Sequence, residues 1–375
     1  MLTRLDIKHF KCFELLKLPL APLTLLSGSN ASGKSSVLQA LVLLHQTMRE
    51  HEWSTRLMLN GQAVRLGTVL DVVDKVHGRK AIEIGVVDDG GSAHWTFTGE
   101  RAEMSMAVET VVADGATEAQ PATLRHLVPA LDSALAQRIR DLTYITAERV
   151  GPREVYPMED RQVTRVVGPQ GEHAVSLLHW GRDEVVLEAL ALKGVPPTRL
   201  RQVEARMRTL FPGCGLVVQQ VPQVNAVTLG LRTSDDTDFH RPIHVGFGLT
   251  QILPIVVAAV SARKNDLVLV ENPEVHLHPA GQALMGMFLA EVAAAGVQVI
   301  IETHSDHVLN GIRRAVKAGT LKKDETVLHF FRQRGTDAEQ VVTPTLDENG
   351  NIDVWPEGFF DQFDKDMNHF AGWEA

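Results

Sequence analysis

Residues 23–46, LTLLSGSNASGKSSVLQALVLLHQ, limit what this chain can fold into more than any other stretch. An apolar run of strand character meets a loop of small residues. A helical pattern follows, with Val37, Leu38, Leu41, Val42 and His45 on one side. Inside it, GSNASGKS (28–35) fits G-x-x-x-x-G-K-S in full, in the strand–loop–helix context that the pattern requires. Gly28 and Gly33 permit a tight path and close approach of an anion. The backbone N–H groups of Ser29, Asn30, Ala31, Ser32, Gly33 and Lys34 can converge on phosphate, and the next helix adds its positive end. Lys34 is expected to span the β- and γ-phosphates, and the Ser35 hydroxyl to ligate Mg²⁺, with Ser36 following. The stretch predicts a nucleotide site with Mg²⁺.

Composition narrows the class. The chain has 375 residues, 44% hydrophobic and 22% charged, enough for a sizeable core. Two cysteines, Cys12 and Cys214, make no disulfide framework and point to a reducing compartment. The charged start MLTRLDIKHFKCF is no secretory leader, and no apolar run reaches membrane-spanning length. The cytoplasm is the expected location, with no membrane association. A net charge of −9 argues against a general nucleic-acid coat, so a protein partner is favoured, with DNA left possible. The late cluster Arg313, Arg314, Lys317, Lys322 and Lys323 reads as a solvated helix face.

The order of elements predicts an α/β architecture. Residues 80–98 alternate as strands around DDGG, and 102–130 read as an irregular surface excursion. Residues 172–212 read as helical, and 215–245 as antiparallel strands. A glycine turn then opens a helix within 244–264. Strand 267–271, helix 280–295, strand 297–302, helix 305–318 and strand 325–331 follow, the pattern of a parallel sheet covered by helices. No heptad run persists, which excludes a long coiled-coil arm.

Two further strand ends carry chemistry. LVLVENPEVHLHP (267–279) runs an apolar strand into Glu271. An acid there can hold Mg²⁺ through water, because Mg²⁺ keeps most of its waters and takes few protein ligands. IIETHSDHV (300–308) ends a second strand at Thr303 and His304, and a histidine there can hydrogen-bond a γ-phosphate and hold an attacking water. The competing reading is zinc on His276, His278 and His304. It is the weaker one, since the H-x-H pair stands before Pro279 at a helix start.

These motifs, in this order, resemble the ABC-type ATPases of the RecF, SMC and OLD branch. GSNASGKSS is similar to their phosphate loop, LVLVENPEVHLHP to their Walker B strand and D-loop, and IIETHSDHVL to their switch-histidine loop. LDIKHFKCFELLKLPLAPLTLLSGSN resembles their first hairpin. VGFGLTQILPI (245–255) takes the place of the signature, with Gly246 where a serine is usual. The likeness covers about two-thirds of the chain. It implies a P-loop head with a mostly parallel sheet, an antiparallel β subdomain and a helical insertion. It also implies two heads closing on two ATP, with Gly246, Gly248, Thr250 and Gln251 of one facing the γ-phosphate of the other. Gln62 is the candidate for the Q-loop glutamine at Mg²⁺; Gln39 and Gln46 read as structural. More narrowly, TYITAERVGPR (143–153) and DENGNIDVWPEGFFDQFDKD (347–366) resemble small bacterial AAA-family ATPases with a C-terminal domain of unknown function. Relatives of that kind stand beside nucleases and other effectors in antiphage systems.

Within this frame the head is expected over 1–335: an N-terminal lobe 1–100, a helical insertion about 172–212 and a Walker B/switch lobe 244–335. A small segment 336–375 packs on it. The family's base directly follows the Walker B acid, and here that position is Asn272, which has no basic pair to take a proton from water. Three outcomes stay open: Glu274 serves as base, His304 positions the water for slow turnover, or ATP acts as a dimerisation ligand. Arg149 and Arg153 are read as reaching phosphate or a partner, or as surface ion pairs. The favoured function is a slow ATPase head that dimerises through its ATP sites and drives a protein effector such as a nuclease. The alternatives are a non-hydrolysing scaffold and a DNA repair head gripping DNA. A self-contained nuclease is disfavoured, because Asp337, Asp347, Asp353, Asp361, Asp364 and Asp366 form no Toprim-like cluster.

Overall fold

The computed structural model describes residues 1–51, 54–75, 79–113, 116–117, 134–159, 166–333 and 339–371. The strands are β1 (Leu2–Phe10), β2 (Phe13–Pro19), β3 (Leu23–Gly28), β4 (Arg56–Met58), β5 (Ala81–Asp88), β6 (Ser92–Thr98), β7 (Ser105–Ala113), β8 (Ala116–Thr117), β9 (Thr143–Ile145), β10 (Tyr156–Pro157), β11 (Gly215–Gln220), β12 (Ala226–Arg232), β13 (Leu267–Glu271), β14 (Gln298–Glu302), β15 (Thr326–Phe331) and β16 (Val341–Val342). The helices are α1 (Lys34–Glu50), α2 (Val69–Val72), α3 (Ala134–Arg140), α4 (Ala174–Trp180), α5 (Arg199–Leu210), α6 (Phe247–Ser261), α7 (Pro279–Ala294), α8 (Asp306–Lys317) and α9 (Gln362–Ala371).

The central sheet runs β16-β15-β3-β14-β13-β9, and every pairing in it is parallel except β15 with β16. Its strands are predominantly apolar because both faces are covered. Leu23, Leu25, Val268, Val270, Val299 and Ile301 join one core with α6, α7 and α8. Leu26, Leu267, Leu269 and Ile300 point the other way and join α1 and the antiparallel lobe. That lobe is the sheet β2-β1-β5-β6-β7-β4, with β8 on β7. It is tied to the central sheet by Gln298, fully buried at the start of β14. Its amide donates to the Leu2 and Ala21 carbonyls and accepts from the Leu2 N–H. A third sheet, β10-β12-β11, packs with α4 and α5.

Two stretches differ from the expected pattern. Residues 105–113 are β7, not an irregular excursion; the rest of 102–130 lies in large part outside the described residues. Met106 and Val108 face inward, but the register shifts at Thr96/Phe97 and the next inward residue is Val111. A bulge of this kind breaks the period of two that marks a strand. Within 172–212, only α4 and α5 are α-helical; residues 181–198 are turns around a single short 3-10 turn. No helix among the described residues is long and apolar enough to cross a membrane.

Candidate active site

Parallel strands end together, so the tips of β3, β14 and β13 form one edge, where α/β sheets place their ligands. Register fixes the neighbours: Glu271 pairs with Glu302, Glu302 with Leu26, and Phe331 with Gly28. Between β3 and α1 the chain makes the tight loop that the motif demands. Gly28 has φ 139°, and a Cβ there would lie 2.2 Å from the Phe331 carbonyl oxygen. Gly33 has φ 109° and would meet Cys12 Sγ at 2.6 Å. Ser29, Asn30 and Ala31 are exposed at the loop crest, while Ser32, Lys34 and Ser36 are buried. Lys34 Nζ donates to the Gly28 (3.0 Å) and Ser29 (2.7 Å) carbonyls, curling back over its own loop. Burial lowers its pKa, and Glu302 opposes that.

The carboxylates divide the edge between them. Glu302 Oε1 accepts from the Ser35 hydroxyl at 3.0 Å. Burial, and then Glu271, push its carboxyl up to about 7 against the bond from Ser35 and the charge of Lys34. Glu271 faces the other side: its oxygens accept from Tyr144 Oη (2.8 Å) and the Ala147 N–H (3.3 Å), both from the end of β9. Glu274 belongs to the switch loop, accepting from Thr303 Oγ1 (2.7 Å) and the His304 N–H (3.0 Å). His304 itself is exposed, and its pKa is lowered by partial burial and then by Lys34.

Asn272 has φ 44°, a left-handed conformation that asparagine tolerates better than most residues. Its N–H donates to the Glu302 carbonyl (2.8 Å). Arg149 clamps the same turn from inside, donating through Nη2 to the carbonyls of Glu271 and Asn272. It is 5% exposed, so it forms neither a surface ion pair nor a contact reaching out to a partner. Burial lowers its pKa to about 10, against the pull of Glu274 and Glu271. Arg153 is exposed.

Three expected placements change. Gln62 lies beside Glu50, whose carboxylate accepts from its N–H. Glu50 is at the far end of α1, about 22 Å of helix from Ser35, so Gln62 is remote from the metal position. Gln251 is 3% exposed, and its amide donates to the Arg149 carbonyl (3.0 Å). Thr250 is also buried and donates to the Phe247 carbonyl. In a helix whose polar residues at these positions point into the core, neither can meet a ligand across a surface. Gly246 does stand clear, with no atom within 4 Å of a Cβ built there, while at Gly248 a Cβ would crowd the His276 carbonyl at 2.9 Å. The zinc trio does not assemble. His278 Nδ1 accepts from the Ala280 N–H and His276 packs edge-on to Phe247, and among the described residues no three acids, histidines or cysteines converge to hold a metal.

Sequence reasoning passed over Glu302 and Tyr144. Glu302 ends an apolar strand as Glu271 does, and that shared position was the available signal. Tyr144 carried none.

The family model described as AAA ATPase domain matches residues 1–89 and 216–309, and that of a protein family of unknown function, DUF3696, matches 321–369. An OLD nuclease from Thermus scotoductus is 24% identical over 378 residues, covering 94% of this chain and 69% of that protein. The DNA replication and repair protein RecF of Limosilactobacillus fermentum is 32% identical over 96 residues, 24% of either chain. Among solved structures, an Smc head domain with an extended coiled coil bound to the C-terminal domain of ScpA, derived from Pyrococcus furiosus, has a TM-score of 0.57 at 12% identity. It covers 100% of this chain and 99% of that one, a likeness of fold. With strands β3, β13 and β14 ending on one sheet edge, these matches fit an ABC-type P-loop ATPase of the RecF, SMC and OLD branch that carries a DUF3696 segment at 321–369.

Proposed function

We propose that the chain binds ATP with Mg²⁺ on residues 28–36, that two copies close around two nucleotides, and that slow hydrolysis reopens them to drive a protein effector. The head comprises 1–335 and the segment 336–375 packs on it. The observation that carries the reading is the shared edge: Lys34 and Ser35 on one strand end, Glu302 and the switch loop on the next, Glu271 beyond. Lys34 and the loop N–H groups bind and orient the phosphates. Ser35 and an acid hold the cation, whose chemistry is to neutralise charge that develops on the phosphates. Glu274, fixed by Thr303 and the His304 N–H, is set to accept the proton of water, while the exposed His304 positions it.

Gly246 and the half-exposed Phe247, 47% accessible, form the slim face at the start of α6 that would meet a second head. The name of the OLD nuclease relative supports a nuclease as effector class, and antiphage defence is proposed as the setting on the family resemblance alone. A non-hydrolysing scaffold is the second reading. It is favoured by Asn272 in the base position and by the engagement of both Glu274 oxygens.

Calorimetry with ATP and Mg²⁺ tests the binding step: Lys34→Ala should abolish the binding that wild type shows. Unchanged affinity would remove residues 28–36 as the nucleotide site. Light scattering with ATP then tests closure. A mass that stays monomeric at saturating nucleotide would contradict the two-head reading.

A further inference from the structure

We propose that α9 docks, through Met367 and Phe370, on residues 239–247 of a second copy of this chain, which docks its own α9 in return. The inference rests on the two-head reading above and deepens it.

The first observation is a helix with little to lie on. α9 is 10 residues long, and its side chains from Lys365 to Ala371 are all exposed. A helix that short is marginal in water and takes most of its stability from burying an apolar face. Such a face is present. Met367 and Phe370, three positions apart and so on one side of the helix, are 52% and 83% exposed. Phe359, packed on Phe330, anchors the chain just before α9, which leaves the head beside the tips of β3 and β15. There Lys365 and Asp366 share a cavity with Gly28 and His304.

The second observation is a matching surface at the other end of the same sheet edge. The connection from β12 to α6 exposes Phe239, Ile243 and Phe247, each between 44% and 47% accessible. Phe247 rests edge-on against His276, in the turn after β13, and a Cβ at Gly151, beyond β9, would lie 3.0 Å from its ring. Single exposed apolar residues are ordinary, whereas a group of them beside a ligand edge marks an interaction surface.

Symmetry joins the two. In the strand order β15-β3-β14-β13-β9, β15 and β13 are three spacings apart, about 14 Å. Both surfaces are exposed in one molecule, so they do not cover each other within it. A two-fold axis through the edge between them exchanges its ends and sets each α9 against residues 239–247 of the other copy. Gly246 and Phe247, the face proposed to meet a second head, belong to that same stretch, so the docking extends one interface. Charge agrees. Residues 361–366 hold Asp361, Asp364 and Asp366 against Lys365 alone, while 239–247 hold Arg241 between His240 and His244, and no acid. Arg241 is paired with Glu154 at 3.3 Å, but both side chains are exposed and such a pair exchanges at little cost.

The test uses the full chain as wild type, Met367→Ser/Phe370→Ser, Phe239→Ser/Ile243→Ser and all four substitutions together, with folding checked by circular dichroism. Dimer dissociation is measured by analytical ultracentrifugation with Mg²⁺ and a non-hydrolysable ATP analogue. Amide hydrogen exchange is followed with and without the analogue. Each pair of substitutions should weaken the dimer about ten- to a hundredfold. The four together should cost little more than either pair, because the two surfaces share one contact. Exchange at 365–371 and at 239–247 should slow when the wild type dimerises. Losses that simply add, or an unchanged dimer in Met367→Ser/Phe370→Ser, overturn the proposal and leave α9 to a different partner. If Phe239→Ser/Ile243→Ser does not fold, the α9 variant and the exchange data still decide, because α9 amides indifferent to dimerisation refute the docking. Wild type that stays monomeric at saturating nucleotide sinks the two-head reading itself; a wild-type dimer that neither pair weakens sinks the docking alone.

Discussion

Asn272 stands where the family carries its base, and its backbone accounts for the residue. At φ 44° a side chain with a Cβ costs about 1 kcal/mol, less for asparagine, which reaches back to local polar groups. The turn is held there by the Asn272 N–H on the Glu302 carbonyl and by the buried Arg149 on two carbonyls. A glutamate put back at this position should therefore not restore a base. Asn272→Glu is expected to lose about 1 kcal/mol of stability in urea denaturation, with no gain in turnover; a clear rise in phosphate release would show that position 272 faces the water after all. The carboxylate two residues on is the one set by the switch loop. Glu274→Gln should lower turnover by about a hundredfold, far more than Asn272→Ala, and the opposite ranking in a phosphate-release assay would remove Glu274 as base.

At the scale of elements, what was legible in the sequence follows from what each element buries. The strands at 267–271, 297–302 and 325–331 and the helices between them were read almost to the residue. Both sheet faces are covered there, and the runs are largely apolar, with His329 the polar residue inside β15. β7 was lost because a bulge breaks its alternation, and the turns of 181–198 because a loop can be as apolar as a helix. Gln62 and Gln251 were misplaced for a related reason: sequence gives the spacing of a polar residue but not whether it points to solvent or into a core.

β15 also holds the clearest pH-sensitive contact. His329 is fully buried between β2 and the C-terminal segment, with Nε2 donating to the Pro19 carbonyl (2.8 Å) and Nδ1 accepting from Thr343 Oγ1 (2.9 Å). Burial lowers its pKa to about 4, and His45, buried against α3, is lowered to about 4 as well. Unfolded chains would protonate both near 6.5, so between about 6.5 and 4 the unfolded state binds more protons and stability falls as pH falls. Each histidine should cost up to about 3 kcal/mol across that window. Thermal melts of wild type and His329→Gln should converge as pH drops from 7 to 4; parallel curves would mean that His329 binds protons equally in the folded and unfolded states.

For the whole molecule, the arrangement joins three parts at one edge. The phosphate loop, the switch loop and the C-terminal segment surround a common cavity of about 510 Å³, lined by Gly28, His304, Asp306, Phe330, Phe360, Asp361 and Lys365. Phe359, fully buried against Phe330 with ring centroids 5.4 Å apart, and Arg313, which donates to the Gly350 carbonyl, fix that segment to β15 and α8. On the nucleotide reading proposed above, a change at the γ-phosphate would act next to the DUF3696 segment. The sequence pointed to the edge through its three motifs, but the return of the tail to it depends on long-range packing that no local pattern records. The central claim is that two such heads form one ATPase. Steady-state phosphate release, measured for wild type and Lys34→Ala over a range of protein concentrations, tests it most directly. Specific turnover that rises with concentration and vanishes in Lys34→Ala is the predicted result; turnover independent of concentration, or retained in Lys34→Ala, would contradict it.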